Sequence, residues 1–454
     1  MGLSDSLGPT TFQTDLRRNS RPRVSERGCS GHEASDAFGE VTARSRSSTG
    51  FTINTANSAR RDTRQAVQEI FSTLCPDGRG SAPDLLLLAY GADRPVEDLH
   101  NCAREVFAGA QLHGSSSCLG VLTHQGALID TGDSVGALAI WDSGGAYGTG
   151  RSRFLSNPRQ AAAAATRTAL ENAGRVGEAP ELVWLTSAPG HEEAVLDGIR
   201  DVVGHATLIV GASSADNDVT GNWSQFDKDG TATDSVVVSV LFPTVRLTSR
   251  FDSGYASTQY GGRATAAEGR KLGFIDDRPA ASVYAEWVGG APFEIPSSGQ
   301  DSVLSKTAMA PLGRVIATHD DVPFYLLAHP ALVQPDGSIE FFCTIENGDE
   351  LRLMNGAPDT LVRVTGDLAK TCIDDLESPA AGALVVFCGG TMMAMRESMN
   401  EVCRQITNAL GDAPFLGVLS FGEQGEMLDG TAGHGNLMIS CTTFGNARLW
   451  GMDP

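Results

Sequence analysis

The chain has 454 residues, 41% hydrophobic and 20% charged, which gives room for two or three cores of ordinary composition. A net charge of −21 at pH 7 repels polyanions and argues against nucleic-acid binding. No stretch approaches the roughly 18 apolar residues of a membrane span. Nine scattered cysteines, none spaced C-x-x-C, read as reduced thiols in a cytoplasmic setting rather than as a disulfide frame or a zinc site.

Residues 1–57 read as a disordered tail, rich in Ser, Arg, Gly and Thr, without a sustained period. Residues 1–64 hold 10 Arg against 7 acids, so the acidity belongs to the remainder. Met1-Gly2-Leu3-Ser4-Asp5-Ser6 fits the N-myristoylation pattern on Gly2, but Asp5 opposes an anionic surface, and a solvated tail is the expectation. The folded body is expected from Ser58, a candidate helix N-cap. Ala66, Val67, Ile70, Phe71 and Leu74 then share one helical face, and Pro76-Asp77-Gly78 ends it.

A repeat follows. Leu85-Leu86-Leu87-Leu88 and Leu182-Val183-Trp184-Leu185 are strand-like runs, and each is followed by a helical pattern. The first helix is marked by Val96, Leu99, Ala103, Val106 and Phe107, the second by Val195, Leu196, Ile199, Val202 and Val203. Each helix leads to a second strand ending in Gly and Ser: Gly114-Ser115-Ser116-Ser117, and Gly211-Ala212-Ser213-Ser214 with Asp216 and Asn217 beyond. Asp133-Ser134-Val135 and Asp234-Ser235-Val236 then open closing strands. Asn157-Pro158 starts the helix that links the two copies.

Pro243 marks a domain boundary, giving domains 58–243 and 244–454. The second domain opens with a β-rich insertion to about residue 375, with alternating segments at Val322–Leu327 and Ser338–Cys343. It holds one helix, with Val283, Tyr284, Trp287 and Val288 on a face. A third copy runs from Leu384-Val385-Val386-Phe387 through a helix carrying Met392, Met395, Met399, Val402, Ile406 and Leu410. It continues to Gly417-Val418-Leu419-Ser420 and a strand from Leu437. The fold class is therefore α/β: two domains built from strand–helix–strand–strand repeats, with a β-rich insertion in the second.

Several features together carry a family resemblance. They are the run Leu85–Ile140, the Gly211–Asp218 tip with Trp223 and Phe226, Glu268-Gly269-Arg270, Asp277 with Pro279-Ala280 and Tyr284, and Phe415-Leu416-Gly417 with Phe421-Gly422-Glu423. In this order and spacing they resemble a FIST protein over roughly residues 60–450. The resemblance implies paired FIST N-terminal and C-terminal domains in a sensory module of signal transduction. It also implies a small polar or amino-acid-like ligand, and output through a separate signalling protein. Two alternatives follow from relatives: a haem-binding sensor, and a protein-interaction scaffold like the FIST part of F-box proteins. Where relatives commonly place Arg after the Cys of the third-copy strand, this chain has Gly389 after Cys388.

The Gly-Ser tips are the expected ligand site. Ser115, Ser116, Ser117, Ser213, Ser214, Asp216 and Asn217 offer hydroxyl, amide and carboxylate groups suited to the two ends of a zwitterion. Glu423, His434 and Asn436 add polar partners from the third copy. Cys388, between a strand and a helix N-terminus, is the candidate reactive thiol. His113 and His205 are the candidate axial ligands if haem is bound; otherwise no cofactor and no metal is expected. G-x-S-x-G, H-E-x-x-H and P-loop motifs are missing, and His191-Glu192-Glu193 lacks a zincin's second His, so the chain reads as a binder rather than an enzyme.

Overall fold

The computed structural model describes residues 50–76, 82–290, 295–297, 299–427 and 430–449. The Gly2 pattern, most of the expected tail and the Asp77-Gly78 turn lie outside the described residues.

The first unit contains β1 (Phe51–Ser58), α1 (Thr63–Leu74), β2 (Leu85–Gly91), α2 (Val96–Val106), β3 (Gln111–Ser117), β4 (Gly120–Thr123), β5 (Gly126–Ile129) and β6 (Val135–Asp142). The second repeats the plan with β7 (Ala146–Arg153), α3 (Pro158–Ala173), β8 (Leu182–Ser187), α4 (Glu192–Val203), β9 (Leu208–Ser213), β10 (Gln225–Asp227), β11 (Gly230–Ala232) and β12 (Ser235–Phe242). The third opens with β13 (Val245–Asp252) and is then interrupted by the insertion. That contains β14 (Ala256–Glu268), β15 (Lys271–Ile275), β16 (Arg278–Pro279), α5 (Ala280–Trp287), β17 (Asp301–Ser302), α6 (Leu304–Thr307), β18 (Leu312–His319), β19 (Val322–Ala328), β20 (Pro330–Val333), β21 (Ile339–Phe341) and β22 (Glu350–Asn355). The unit resumes with α7 (Pro358–Leu376), β23 (Ala380–Cys388), α8 (Gly389–Ala394), α9 (Met399–Ala409), β24 (Phe415–Ser420), β25 (Glu423–Glu426), β26 (Ala432–Gly435) and β27 (Ile439–Arg448).

Each unit builds a six-stranded sheet of one design. The orders are β1-β6-β2-β3-β10-β11, β7-β12-β8-β9-β25-β26 and β13-β27-β23-β24-β4-β5. In each, the strands joined through a helix run parallel. The unit's last strand lies antiparallel beside them. The short hairpin is passed to a neighbour: the first unit's edges the third sheet, the second unit's edges the first, and the third unit's edges the second. No unit completes its sheet alone, so the three interlock in a ring.

The inner faces of the three sheets meet in one core, where Leu87, Ile140, Trp184, Val210, Val386 and Phe444 pack together. Helices cover the outer faces, α1 and α2 on the first sheet, α3 and α4 on the second, and α7 and α9 on the third. Strands buried on both faces need continuous apolar runs, which is why Leu85–Leu88 and Leu384–Phe387 show no alternation. The insertion forms its own nine-stranded sheet over a separate core, with α5 packed on it through Val283 and Tyr284.

Three expectations change. Phe51–Ser58 is the edge strand β1, paired with β6 over its whole length, so the folded body begins upstream of residue 58. The cap of α1 is Asp62, whose Oδ1 accepts from the Gln65 N–H at 2.8 Å, whereas Ser58 closes the preceding strand. The methionine-bearing stretch is two helices separated by a 3₁₀ turn at Arg396–Ser398. Met392, Met395 and Met399 pack in the third unit's core.

Candidate functional site

Strand register places Gly114, Gly211 and Gly417 at one position in the three units, opposite Leu88, Leu185 and Val385. Their common feature is close approach. A Cβ on Gly114 would lie 2.2 Å from the Phe226 ring, on Gly211 2.4 Å from Leu185 Cγ, and on Gly417 2.8 Å from Leu122 Cβ. The glycines admit neighbouring side chains rather than a ligand.

The hydroxyls that follow are buried and bonded across the seams between units. Ser115 Oγ lies 2.8 Å from Ser214 Oγ. Ser116 Oγ accepts from the Ser224 N–H at 3.0 Å, and Ser117 Oγ accepts from the Leu419 N–H at 2.9 Å while donating to the Gly120 carbonyl at 2.6 Å. Asp216, expected to meet an ammonium group, instead accepts from the N–H groups of Val219, Thr220, Gly221 and Asn222 at 2.6–2.9 Å. It shapes its own loop. Asn217 bridges Leu119 N–H and Asp93, at 3.0 Å each. Asn436 accepts from the His329 N–H at 3.4 Å and donates to the Phe421 carbonyl at 3.4 Å. All seven positions are engaged by protein partners, five of them across the seams between units, Asp216 within its own loop and Asn436 between the insertion and the third unit.

Cys388 is also corrected. It caps α8, where the backbone around Gly390 and Thr391 favours a thiolate, but full burial and the neighbouring Glu423 push the thiol well up. A thiol raised in this way holds little thiolate at neutral pH, which argues against a nucleophilic role. Glu423 accepts from Ser420 Oγ at 2.5 Å and from the Met438 N–H at 2.9 Å, and burial raises its carboxyl to about 8. Both partners lie within the third unit, so the carboxyl ties β25 to the end of β24 and the residue preceding β27.

Both ring nitrogens of His113 are engaged, Nδ1 by Ser239 Oγ and Nε2 by Thr186 Oγ1, each at 2.8 Å. Burial lowers this imidazole to about 3, so it stays neutral. The void beside it measures about 10 Å³, room for one water and no macrocycle. His205 is exposed in the turn after α4.

The remaining two residues, Ser213 and His434, do come together, with partners the tips did not suggest. Ser187, Ser213, Gln424 and His434 lie on one face of the second sheet. Ser187 pairs with Ser213 in register, as Gln424 does with His434. That face looks onto the first turn of α4, where Glu192 and Glu193 stand at the positive end of the helix. Ser213 Oγ donates to Glu192 Oε1 at 2.7 Å, and the Gly190 N–H donates to Oε2 at 3.0 Å. The Thr344 N–H and His434 Nδ1 lie 3.0 and 3.1 Å from Glu193 Oε1. Arg270, from the turn between β14 and β15, places Nη2 2.5 Å from Glu192 and 3.4 Å from Glu193. The guanidinium and His434 hold both carboxyls below the usual carboxylate range despite burial, and both carboxylates raise Arg270.

Among the described residues, three buried polar atoms of this face have no partner: His434 Nε2, Gln424 Oε1 and Ser187 Oγ. With Nδ1 directed at a carboxylate, the proton of a neutral imidazole sits there, and Nε2 is an acceptor. Gly422 keeps the spot open, since a Cβ there would lie 2.5 Å from His434 Nε2 and 2.9 Å from Ser213 Oγ. The buried end therefore holds an excess of acceptors. The rim is reachable through Glu193 and Arg270, whose side chains are 38% and 24% exposed. Sequence reading had Glu192, Glu193 and Arg270 in hand but not their meeting, which joins the second unit to an insertion some 80 residues on.

The FIST N domain family model matches residues 84–278, and the FIST C domain model matches residues 280–426. The first spans most of unit one, all of unit two, β13 and the insertion as far as β15, and the second spans the insertion from α5 onward and unit three as far as β25. No curated protein matches the chain. Among solved structures, the crystal structure of cyanuric acid hydrolase from A. caulinodans is similar at 10% identity and a TM-score of 0.38. The match covers 87% of this chain and 100% of that one. That likeness is too slight to bear on chemistry. FIST domains are sensory, small-ligand-binding modules of signal transduction, and this chain belongs to the FIST family.

Proposed function

We propose that the chain senses a small polar, amino-acid-like ligand at the first turn of α4, with its ammonium group toward His434, Gln424 and the two glutamates and its carboxylate on Arg270. The observation that carries this reading is the unpartnered, buried Nε2 of His434 among further free acceptors. A buried acceptor without a donor costs about 1–3 kcal/mol, and a ligand bearing several N–H donors relieves it. Arg270 supplies the complementary charge at the rim. The site sits where the parallel strands β8 and β9 end beside a helix N-terminus, the position at which open α/β sheets commonly take ligands.

Binding rather than catalysis is the better reading, because Ser213 is fully buried and its hydroxyl is held by Glu192, a carboxylate whose lowered basicity makes it a poor general base. Output then passes to a separate signalling protein. Among the described residues no helix is long and apolar enough to cross a membrane. The test is nitrogen NMR of the His434 ring while the twenty amino acids are added singly. At least one should shift Nε2 while Nδ1 keeps its proton; a ring indifferent to all of them would end the proposal.

A further inference from the structure

Glu192, Glu193 and His434 each offer a ligand atom, and these atoms all lie within 4.8 Å of one another. Two carboxylates and an imidazole are the donor set of first-row divalent cations. Outer partners already orient the donors: Ser213 Oγ and the Gly190 N–H on Glu192, and the Thr344 N–H on Glu193. Second-shell bonds of this kind commonly fix metal ligands. His434 Nε2 is buried and unpartnered, and Gln424 Oε1, directly across the strand pair, is a further free oxygen. The balancing charge is Arg270, whose one guanidinium faces two carboxylates, so the group carries a surplus negative charge.

We propose that Glu192, Glu193 and His434 form a divalent-cation site at the first turn of α4, filled in exchange for the guanidinium of Arg270. Arg270 enters from a turn and is partly exposed, so it can leave toward solvent without breaking either sheet. The exchange needs no redox step. The ion takes the guanidinium's place between the two carboxylates and gains Nδ1 of His434 as a third ligand, the ring proton moving from Nδ1 to the unpartnered Nε2.

This inference goes beyond the amino-acid reading and shares Glu192, Glu193, His434 and Arg270 with it, so the experiment uses the metal alone. Manganese(II) suits the test because the chain's buried thiols are poor ligands for it. The chelator-stripped full chain is titrated with manganese(II) and the bound ion is counted by electron paramagnetic resonance. One ion per chain is expected. His434→Gln and Glu193→Gln should each weaken binding by about tenfold or more. Arg270→Gln should strengthen it, because it removes the competing cation. That opposite sign separates a site from general damage to the fold. No stoichiometric ion, binding unaffected by His434→Gln and Glu193→Gln, or weaker binding in Arg270→Gln would each overturn the proposal. None of these results bears on whether an amino acid binds.

Discussion

Ser213 and Glu192 are joined by a 2.7 Å hydrogen bond from Oγ to Oε1, with both side chains buried. The bond ties the end of β9 to the first turn of α4 and fixes the floor of the candidate site. Ser213→Ala leaves the carboxylate oxygen without that donor, so a loss of about 1–3 kcal/mol is expected. Urea denaturation with an unchanged m-value would measure it.

Gly114→Ala forces a methyl against the Phe226 ring, whose nearest atoms would lie 2.2 Å from it. Overpacking of this kind costs about 1–3 kcal/mol. The variant Phe226→Leu should be destabilised on its own, yet Gly114→Ala should cost less in its background. A double-mutant cycle checks this, and simple additivity would count against steric conflict as the reason for the glycine.

Asp216→Asn removes the charge from an oxygen pair that gathers the N–H groups of Val219 to Asn222. Bonds to charged groups are each worth about 1.5–3 kcal/mol, and part of that is expected to go. Limited proteolysis within residues 216–224 should accelerate before the global midpoint falls. Equal protection would mean that the loop is held by other contacts.

These results follow where the sequence was legible and where it was not. The three copies were readable because strands buried on both faces must be apolar, and because helices over them must carry an amphipathic period. The common glycine was readable too, through its fixed distance of 29 residues from Leu85 and Leu182. Its reason was not, since Phe226 reaches Gly114 only because the second unit's hairpin edges the first sheet. Hairpin exchange leaves no local pattern. The same exchange brings His434, on a hairpin of the third unit, beside Glu193 of the second. Ser115 and Asp216 looked like ligand groups because hydroxyl and carboxylate types are the same whether they face a ligand or a neighbouring backbone.

Glu423 gives stability a pH slope. Its folded carboxyl titrates at about 8 against an ordinary value of 4.5, because burial disfavours the charged form. The fold holds the proton where the unfolded chain has released it. Stability from this group is fully present below the unfolded value and is lost as pH rises from about 4.5 to about 8, by a few kcal/mol at most. Glu423→Gln mimics the neutral acid and should flatten stability over that window. An unchanged slope would show that Glu423 is ionised in the fold.

Glu193 contributes in the opposite sense. His434 and Arg270 hold its carboxyl far below the ordinary value, so its stability is present above about pH 4.5 and is lost on acidification. Glu193→Gln should therefore lower the urea midpoint above about pH 4.5 and flatten its fall on acidification; an acid limb as steep as the wild type's would count against the ion pairs.

Recognition of a zwitterion at the first turn of α4 is tested most directly by thermal midpoints. The wild-type chain and Arg270→Gln are scanned with amino acids, with amines lacking a carboxylate and with carboxylates lacking an amine. A ligand at 100 times its dissociation constant stabilises the fold by about 2.7 kcal/mol. The account predicts a rise in midpoint for at least one amino acid, a smaller rise for its amine, none for its carboxylate, and loss of the amino-acid advantage in Arg270→Gln. A midpoint indifferent to every amino acid, or a rise that Arg270→Gln leaves intact, would contradict it.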